Sequence, residues 1–285
     1  MTPADRPRHD MPIADHRFGR SAIRRRARRW SGLPVGAAAV SVLVAGCGSG
    51  TTRSAVSGGK GVLTVAINPG FVPFEQLSNG KLVGFDVELA RALATQLGYS
   101  GVQFDQMPFT SLIAAVTSRR DAVAISGILD TPAREQTVAF STPYVKDAFV
   151  LAVKASNGKV QGLAQLAHST IAVQVGTIPE QFIRKSLPSA SISTTQDTPS
   201  AFQLVAEGRA DAVVTDKPVA DYYVKQLGGN LRVLPKPLNA AAPIAVVMPK
   251  KSPLVAQVNA AFTRLVTGGS LNTLRQKWFG TPATG

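Results

Sequence analysis

The sequence predicts an α/β chain of two lobes. Short apolar β runs alternate with helical patterns from Val62 onward, and that alternation argues for α/β layers with mainly parallel sheets. Two apolar runs, Ala148–Lys154 and Ile244–Met248, lie about ninety residues apart and suit strands that cross between lobes at a hinge. A chain of 285 residues is long enough for one large or two medium domains with a buried core.

In chain order, Val62–Ile67 reads as a strand, being apolar throughout apart from Thr64. Val87, Leu89, Ala90, Leu93, Ala94 and Leu97 recur at helical spacing, so Asp86–Leu97 is a helix, and Gly98 stops it. Val102–Asp105 is a strand, Ser111–Ser118 a helix and Ala122–Ser126 a strand. Thr131-Pro132 opens a short helix, with Thr as the cap and Pro at the first helical position. Ala148–Lys154 and Thr170–Val175 follow as strands, and Pro179–Ser186 as a helix. Ser191–Thr195 is a strand, Ser200–Glu207 a helix and Ala212–Thr215 a strand. Pro218–Leu227 is a helix, Leu231–Leu234 a short strand and Ile244–Met248 a strand. Pro253–Thr267 and Leu271–Trp278 close the chain as helices. With crossings at the two apolar runs, residues 61–145 plus 245–285 form a discontinuous first lobe and residues 146–244 the second.

Composition excludes several classes. Apolar residues make up 45% and charged residues 17%, which is not the balance of a disordered chain. One cysteine forbids an intramolecular disulfide framework and any zinc site needing two thiolates, and three histidines argue against a His-rich metal site. No metal or other cofactor is expected. His168 is isolated and reads as a solvated loop or helix-end residue. The net charge of +14 first suggests nucleic acid. Its distribution argues otherwise: residues 1–46 hold nine Arg against three Asp, a net +6, while the remaining 22 basic and 14 acidic residues are dispersed.

That basic end reads as an address. Arg24–Arg29 is a dense cationic cluster, and Leu33–Ala45 after it is uncharged and apolar, as in a secretory signal. The run is shorter than the roughly 20 apolar residues of a spanning helix. It ends in Val44-Ala45-Gly46-Cys47, which resembles the lipobox of bacterial lipoproteins, in which the cysteine is lipidated and becomes the mature N-terminus. Residues 1–46 are therefore expected to be a signal peptide, and residues 47–60 a lipidated Cys47 on a Gly/Ser/Thr-rich tether. Met1 and Met11 are both possible starts. The paired arginines leave twin-arginine export open, although their flanking residues favour the general secretory route.

The body carries a more specific signal. Gly84-Phe85-Asp86-Val87-Glu88-Leu89-Ala90-Arg91-Ala92-Leu93 closely resembles the signature of the family 3 solute-binding proteins of ABC importers. Further segments match in the family's order: Phe71-Val72-Pro73-Phe74-Glu75, Pro108-Phe109-Thr110-Ser111-Leu112-Ile113, and Gly127 through Arg134-Glu135. Phe140-Ser141-Thr142-Pro143-Tyr144, Val175-Gly176-Thr177, Gly208 through Asp216, and Lys277-Trp278-Phe279-Gly280 complete the set. The resemblance spans roughly residues 60–281. It implies a two-lobe, type II periplasmic-binding-protein-like fold with two hinge-crossing strands. It also implies a monomer outside the cytoplasm, lipid-anchored to the cell membrane, that captures a small polar solute such as an amino acid and delivers it to an ABC permease. Nucleic acid is not an expected partner.

The resemblance also implies roles. An α-amino acid needs a bidentate cation for its carboxylate and an anion for its ammonium. Arg134 matches the family's carboxylate-binding Arg, and its planar fork suits that group better than Lys would. Asp216, at the end of the AVVTD strand, matches the ammonium-binding acid, although it also fits a helix N-cap before Lys217-Pro218. Phe71 and Phe109 match two aromatics that sandwich the ligand. Ser126 and Gly127 are expected to offer a hydroxyl, a carbonyl and an N–H to the head group. Thr177 is expected at a helix N-terminus, its N–H and hydroxyl favouring the carboxylate. Leu129 stands where Thr or Ser is common, so one side-chain bond to the carboxylate is lost and the backbone N–H is retained. Asn68 stands where cationic amino-acid binders often have an acid, which argues against Lys, Arg or ornithine as solute. Glu75 and Asp130 are not placed by sequence. Two other readings remain: a cyclohexadienyl dehydratase on the same fold, needing a general acid such as Glu75, Glu180 or Asp216, or a sensory receptor signalling in trans.

Overall fold

The structure, a computed structural model, describes residues 60–239 and 242–280. The expected signal peptide, Cys47 and the tether up to residue 59 lie outside the described residues. The chain runs β1 (Lys60–Ile67), β2 (Gln76–Ser78), β3 (Lys81–Val83), α1 (Phe85–Leu97) and β4 (Tyr99–Gln106). After a 3-10 turn at Phe109–Ser111 come α2 (Leu112–Thr117), β5 (Val123–Ala124), α3 (Pro132–Glu135), β6 (Val138–Phe140) and β7 (Val145–Asp147). Next are β8 (Phe149–Lys154), β9 (Thr170–Gln174), α4 (Ile178–Ser186), β10 (Ser191–Thr195), α5 (Thr198–Ala206), β11 (Ala212–Asp216), α6 (Lys217–Gln226) and β12 (Leu231–Val233). The chain closes with β13 (Ala242–Ile244), β14 (Val247–Pro249), α7 (Leu254–Thr267) and α8 (Ser270–Phe279).

Two five-stranded sheets organise the two lobes, in the orders β4-β1-β5-β14-β6 and β10-β9-β11-β8-β12. In the first, β1 is parallel to β4 and β5, while β14 is antiparallel to β5 and β6. In the second, β9 is parallel to β10 and β11, while β8 is antiparallel to β11 and β12. The expected mainly parallel sheets are thus half antiparallel. The reversed strand in each is the one that enters next to a lobe crossing, and it runs against its neighbours because it arrives from the other lobe.

The crossing itself differs from the expectation. β7 and β13 pair as a separate antiparallel ribbon, with Val145 opposite Ile244 and Asp147 opposite Ala242. The apolar run Ala148–Lys154 lies wholly in the second sheet from Phe149 onward. The run Ile244–Met248 is not one strand: Ile244 ends the ribbon, and Val247 joins the first sheet. Between them the Ala245 N–H bonds the Ile128 carbonyl and the Val246 N–H bonds the Ser141 hydroxyl. All five residues are buried. Burial is continuous through the corner, so hydrophobicity does not reveal it.

Local chemistry sets the helices that frame the cleft. Gly98 takes a left-handed φ of 78° and its N–H closes α1 on the Ala94 and Thr95 carbonyls. The apolar stripe of α1 (Val87, Leu89, Ala90, Leu93, Ala94) is buried, and Phe85 joins an aromatic cluster with Phe74, Tyr144 and Phe279. At the other end, Gly84 has φ 138° and lies directly on the backbone of Phe74 and Glu75: an added Cβ would sit 2.2 Å from the Phe74 carbonyl oxygen.

Gly84→Ala therefore has no relaxed solution, since both the dihedral and the space forbid it. It is expected to cost about 3 kcal/mol of stability, measured by denaturant unfolding. A cost below about 1 kcal/mol would show that the loop over Gly84 gives way easily.

Candidate functional site

A cleft lies between the lobes. Strand ends and the loops after them build its walls, the usual ligand position in open α/β sheets. Asn68 follows β1, Ser126 and Gly127 follow β5, Gln174 ends β9 and Asp216 ends β11. All nine residues singled out from sequence, Asn68, Phe71, Phe109, Ser126, Gly127, Leu129, Arg134, Thr177 and Asp216, stand in these walls. The lobes touch across the cleft. The Gln174 amide donates to Asn68 Oδ1 at 2.8 Å, the Tyr223 hydroxyl donates to the Gly70 carbonyl at 2.8 Å, and the Gly176 backbone lies against the Thr110 side chain.

Arg134 forms the cationic pole. Its short helix α3 begins as expected, with Pro132 first and the Thr131 hydroxyl accepting the Arg134 N–H at 3.3 Å. The guanidinium donates to the Leu129 carbonyl at 2.8 Å and, across the cleft, to the Gly176 carbonyl at 3.4 Å. It lies over the Phe109 ring, 5.6 Å from the centroid. Burial lowers its pKa to about 10, so it stays charged at neutral pH. No carboxylate pairs with it among the described residues. Two of its five donors are engaged.

Asp216 forms the anionic pole. It is buried, and its Oδ1 has no hydrogen-bond partner. It precedes α6 as the backbone N-cap, but its side chain makes no capping bond. Asp147, on the hinge ribbon, lies there instead, accepting the Ala148 N–H at 2.7 Å and resting against the Lys217 N–H. Burial first, and Asp147 second, push Asp216 well above the usual carboxylate range. Burial likewise raises Asp147 to about 7.

Three expectations need correction. The Ser126 hydroxyl does not face a ligand as a donor: it gives its proton to Glu75 Oε1 at 2.7 Å and accepts the Asn68 N–H at 3.0 Å. The Gly127 N–H is also spent, on Asp86 Oδ2 at 2.7 Å. Both donors serve buried carboxylates, Glu75 at the wall and Asp86 behind it. The Thr177 hydroxyl caps α4 as expected but donates to the Gln174 carbonyl at 2.7 Å, so it keeps no proton for a ligand. Gly127 has a different use: at φ 56° it leaves room for the Phe71 ring, which an added Cβ would meet at 2.5 Å. Phe71 stacks on Phe74 and so presents one face to the cleft.

Glu75, Gln174 and Thr198 also line the cleft and were missed or unplaced in sequence, whereas Asp130 is not part of its wall. Glu75 ends the Phe71-Val72-Pro73-Phe74-Glu75 motif, but sequence does not place it relative to the pocket. Nothing local shows that it is buried beside Asp86, whose Oδ2 also accepts the Tyr144 hydroxyl at 2.9 Å. Glu180, one of the acids open to a catalytic reading, is held by the Gly176 N–H and by Arg184.

The sequence profile of the bacterial extracellular solute-binding proteins, family 3, matches residues 63–281. The arginine-binding extracellular protein ArtP of Bacillus subtilis strain 168 is 33% identical over 257 residues, covering 88% of this chain and 98% of that protein. An ancestral arginine-binding protein bound to arginine matches with a TM-score of 0.75 and 34% identity, over 78% of this chain and 99% of its own. AncCDT-1, an ancestral amino acid-binding protein and a precursor of cyclohexadienyl dehydratase, matches with a TM-score of 0.72 and 34% identity, over 76% and 95%.

The buried acids predict how stability follows pH. Asp86 and Asp147 are each held at about 7 in the fold, against an ordinary value of about 3.9 when unfolded. The folded state binds more protons between those values, so their contribution is complete below about pH 4 and is lost as pH rises through about 7. The ligand-free protein is expected to melt at a higher temperature at pH 5 than at pH 8, and Asp86→Asn to shrink that difference. An unchanged difference in the variant would show that Asp86 is ionised throughout.

Proposed function

Because this chain belongs to the bacterial extracellular solute-binding proteins of family 3, we propose that it captures an α-amino acid between its lobes and delivers it to the membrane permease of an ABC importer. The observation that carries this reading is the pair of incomplete charges in one cleft. Arg134 has spare donors and no carboxylate, and Asp216 has an unpartnered oxygen and no cation. A zwitterionic head group completes both at once. Phe71 and Phe109 flank the ligand's aliphatic part, and the start of α4 behind Thr177 adds a favourable field for its carboxylate. Leu129 contributes an apolar wall and the carbonyl that orients Arg134.

Residues 61–145 with 245–285 move as one lobe and residues 146–244 as the other, consistent with the division of strands between the two sheets. The mature protein begins at a lipidated Cys47 and acts as a monomer on the outer face of the membrane, tethered by residues 48–60. It performs no covalent chemistry. The named relatives are binding proteins, and a dehydratase would need a cleft acid free of other duties, whereas Glu180 is bound to Arg184, Glu75 is held by Ser126 beside Asp86, and Asp216 would be taken up by the ligand's ammonium.

A thermal-shift screen against the twenty amino acids, opines and polyamines tests the reading, since a ligand that binds only the folded state raises its melting temperature by about 2.7 kcal/mol of added stability at one hundred times Kd. At least one amino acid is expected to shift the wild type, and Arg134→Ala to remove the shift. A wild type unmoved by every amino acid contradicts the proposal. Asp216 must ionise to hold an ammonium, so binding expels a proton, and affinity should fall about tenfold per unit decrease in pH once Asp216 is protonated in the empty protein. Mass spectrometry of the membrane fraction is expected to find a mature chain starting at a lipid-modified Cys47; a start elsewhere rules out this anchor.

A further inference from the structure

The geometry points to Glu75, backed by Asp86, as the residue that selects the ligand's side chain, and to a cationic side chain as the one it selects. This rests on the amino-acid reading above and narrows it to a substrate class. It also reverses the expectation drawn from Asn68 alone, because an acid is supplied to the same wall from a different position.

Around Asn68, Glu75, Ser126, Gln174 and Thr198, which all border the cleft, most side-chain donors are committed. Asn68 Nδ2 donates to the Met107 carbonyl at 2.9 Å, and Gln174 Nε2 to the Gln196 carbonyl at 3.1 Å and to Asn68 Oδ1. A backbone carbonyl only accepts, so both amides are fixed in orientation. The Thr198 hydroxyl must then donate to Gln174 Oε1, at 3.0 Å. Ser126 accepts a backbone N–H and so gives its own proton to Glu75. What remains at this wall is one hydrogen of Asn68 Nδ2 and the buried carboxyl of Glu75, whose Oε2 has no partner.

A ligand tip made only of donors suits such a wall. Guanidinium and ammonium groups are of that kind. A carboxylate tip would meet acceptors and like charge. An amide or urea tip brings no charge to set against the buried Glu75–Asp86 pair. Charge leads the same way. Glu75 and Asp86 are both buried side by side, and the titratable group facing them from the hinge side is the Tyr144 hydroxyl. None of the described ion pairs joins Glu75 or Asp86 to a Lys or Arg, and Arg134 is held elsewhere by Leu129 and Gly176. Burial and the neighbouring Asp86 hold Glu75 well above the usual carboxylate range, so the pair keeps a proton that a ligand cation displaces to solvent.

Calorimetry with L-arginine, L-lysine, L-citrulline, L-glutamine and L-glutamate separates the outcomes, citrulline being the neutral isostere of arginine. The wild type is expected to bind arginine or lysine about 100-fold more tightly than citrulline or glutamine, and Glu75→Gln to erase that preference by weakening the cations while leaving citrulline within about threefold. Tight binding of glutamine, citrulline or glutamate by the wild type overturns the inference and leaves the amino-acid reading standing. So does a Glu75→Gln protein that still binds the cation with wild-type affinity. Binding of no amino acid at all overturns both. Should Glu75→Gln fail to fold, the wild-type comparison of arginine with citrulline decides alone: equal affinities overturn the inference.

Discussion

The structure turns on a half-buried guanidinium whose side-chain hydrogen bonds go to carbonyls. Arg134 spans the cleft from the Leu129 carbonyl on one side to the Gly176 carbonyl on the other. Carbonyls satisfy hydrogen bonds but do not neutralise charge, and a buried cation without an anion is expensive. Much of the surrounding architecture exists to hold it there. Thr131 caps the short helix that carries it, Phe109 lies beneath its plane, and the left-handed Gly176 lets the opposite backbone approach. The closed arrangement is thus one in which each lobe satisfies part of a group that neither satisfies alone.

The acids follow the same logic with the opposite sign. Asp216 is released from capping α6 because Asp147 stands at that helix start. Asp147 belongs to the ribbon that joins the lobes, so the ribbon's register and the anionic pole are fixed together. Glu75 and Asp86 form a second buried pair at the opposite wall, steadied by Ser126, Gly127 and Tyr144. Each pair carries more negative potential than its surroundings neutralise, and each borders the cleft. A molecule with one anionic and two cationic groups would settle all three poles in a single event, which links closure energetically to charge compensation rather than to apolar contact alone.

What the sequence revealed and what it hid divide along physical lines. Gly98, Thr131 and Thr177 were readable because helix ends are governed by neighbouring residues. Arg134 and Asp216 were readable because motif segments fix them on particular strand ends and loops. Val145–Asp147 was not, since three residues with one apolar side chain carry no period, although they form the crossing ribbon. The corner at Ala245–Val246 was hidden by uniform burial, and the antiparallel halves of both sheets by the fact that strand direction is set by the return from the other lobe. The fates of the Ser126 hydroxyl, the Gly127 N–H and the Thr177 hydroxyl were hidden because each is consumed by a partner remote in sequence or by a backbone carbonyl that sequence does not position. Glu75 shows the same limit: its neighbours in the chain do not place it, and its neighbours in space make it part of the wall.

The central claim is that the two unpaired poles are completed by one amino-acid head group held between the lobes. A crystal structure of the protein with the amino acid that stabilises it most tests this directly. The account predicts the α-carboxylate within hydrogen-bonding distance of the Arg134 guanidinium and the α-ammonium on Asp216 Oδ1, with the lobes closed as described. A ligand bound outside the cleft, or inside it with its carboxylate turned away from Arg134, would contradict it.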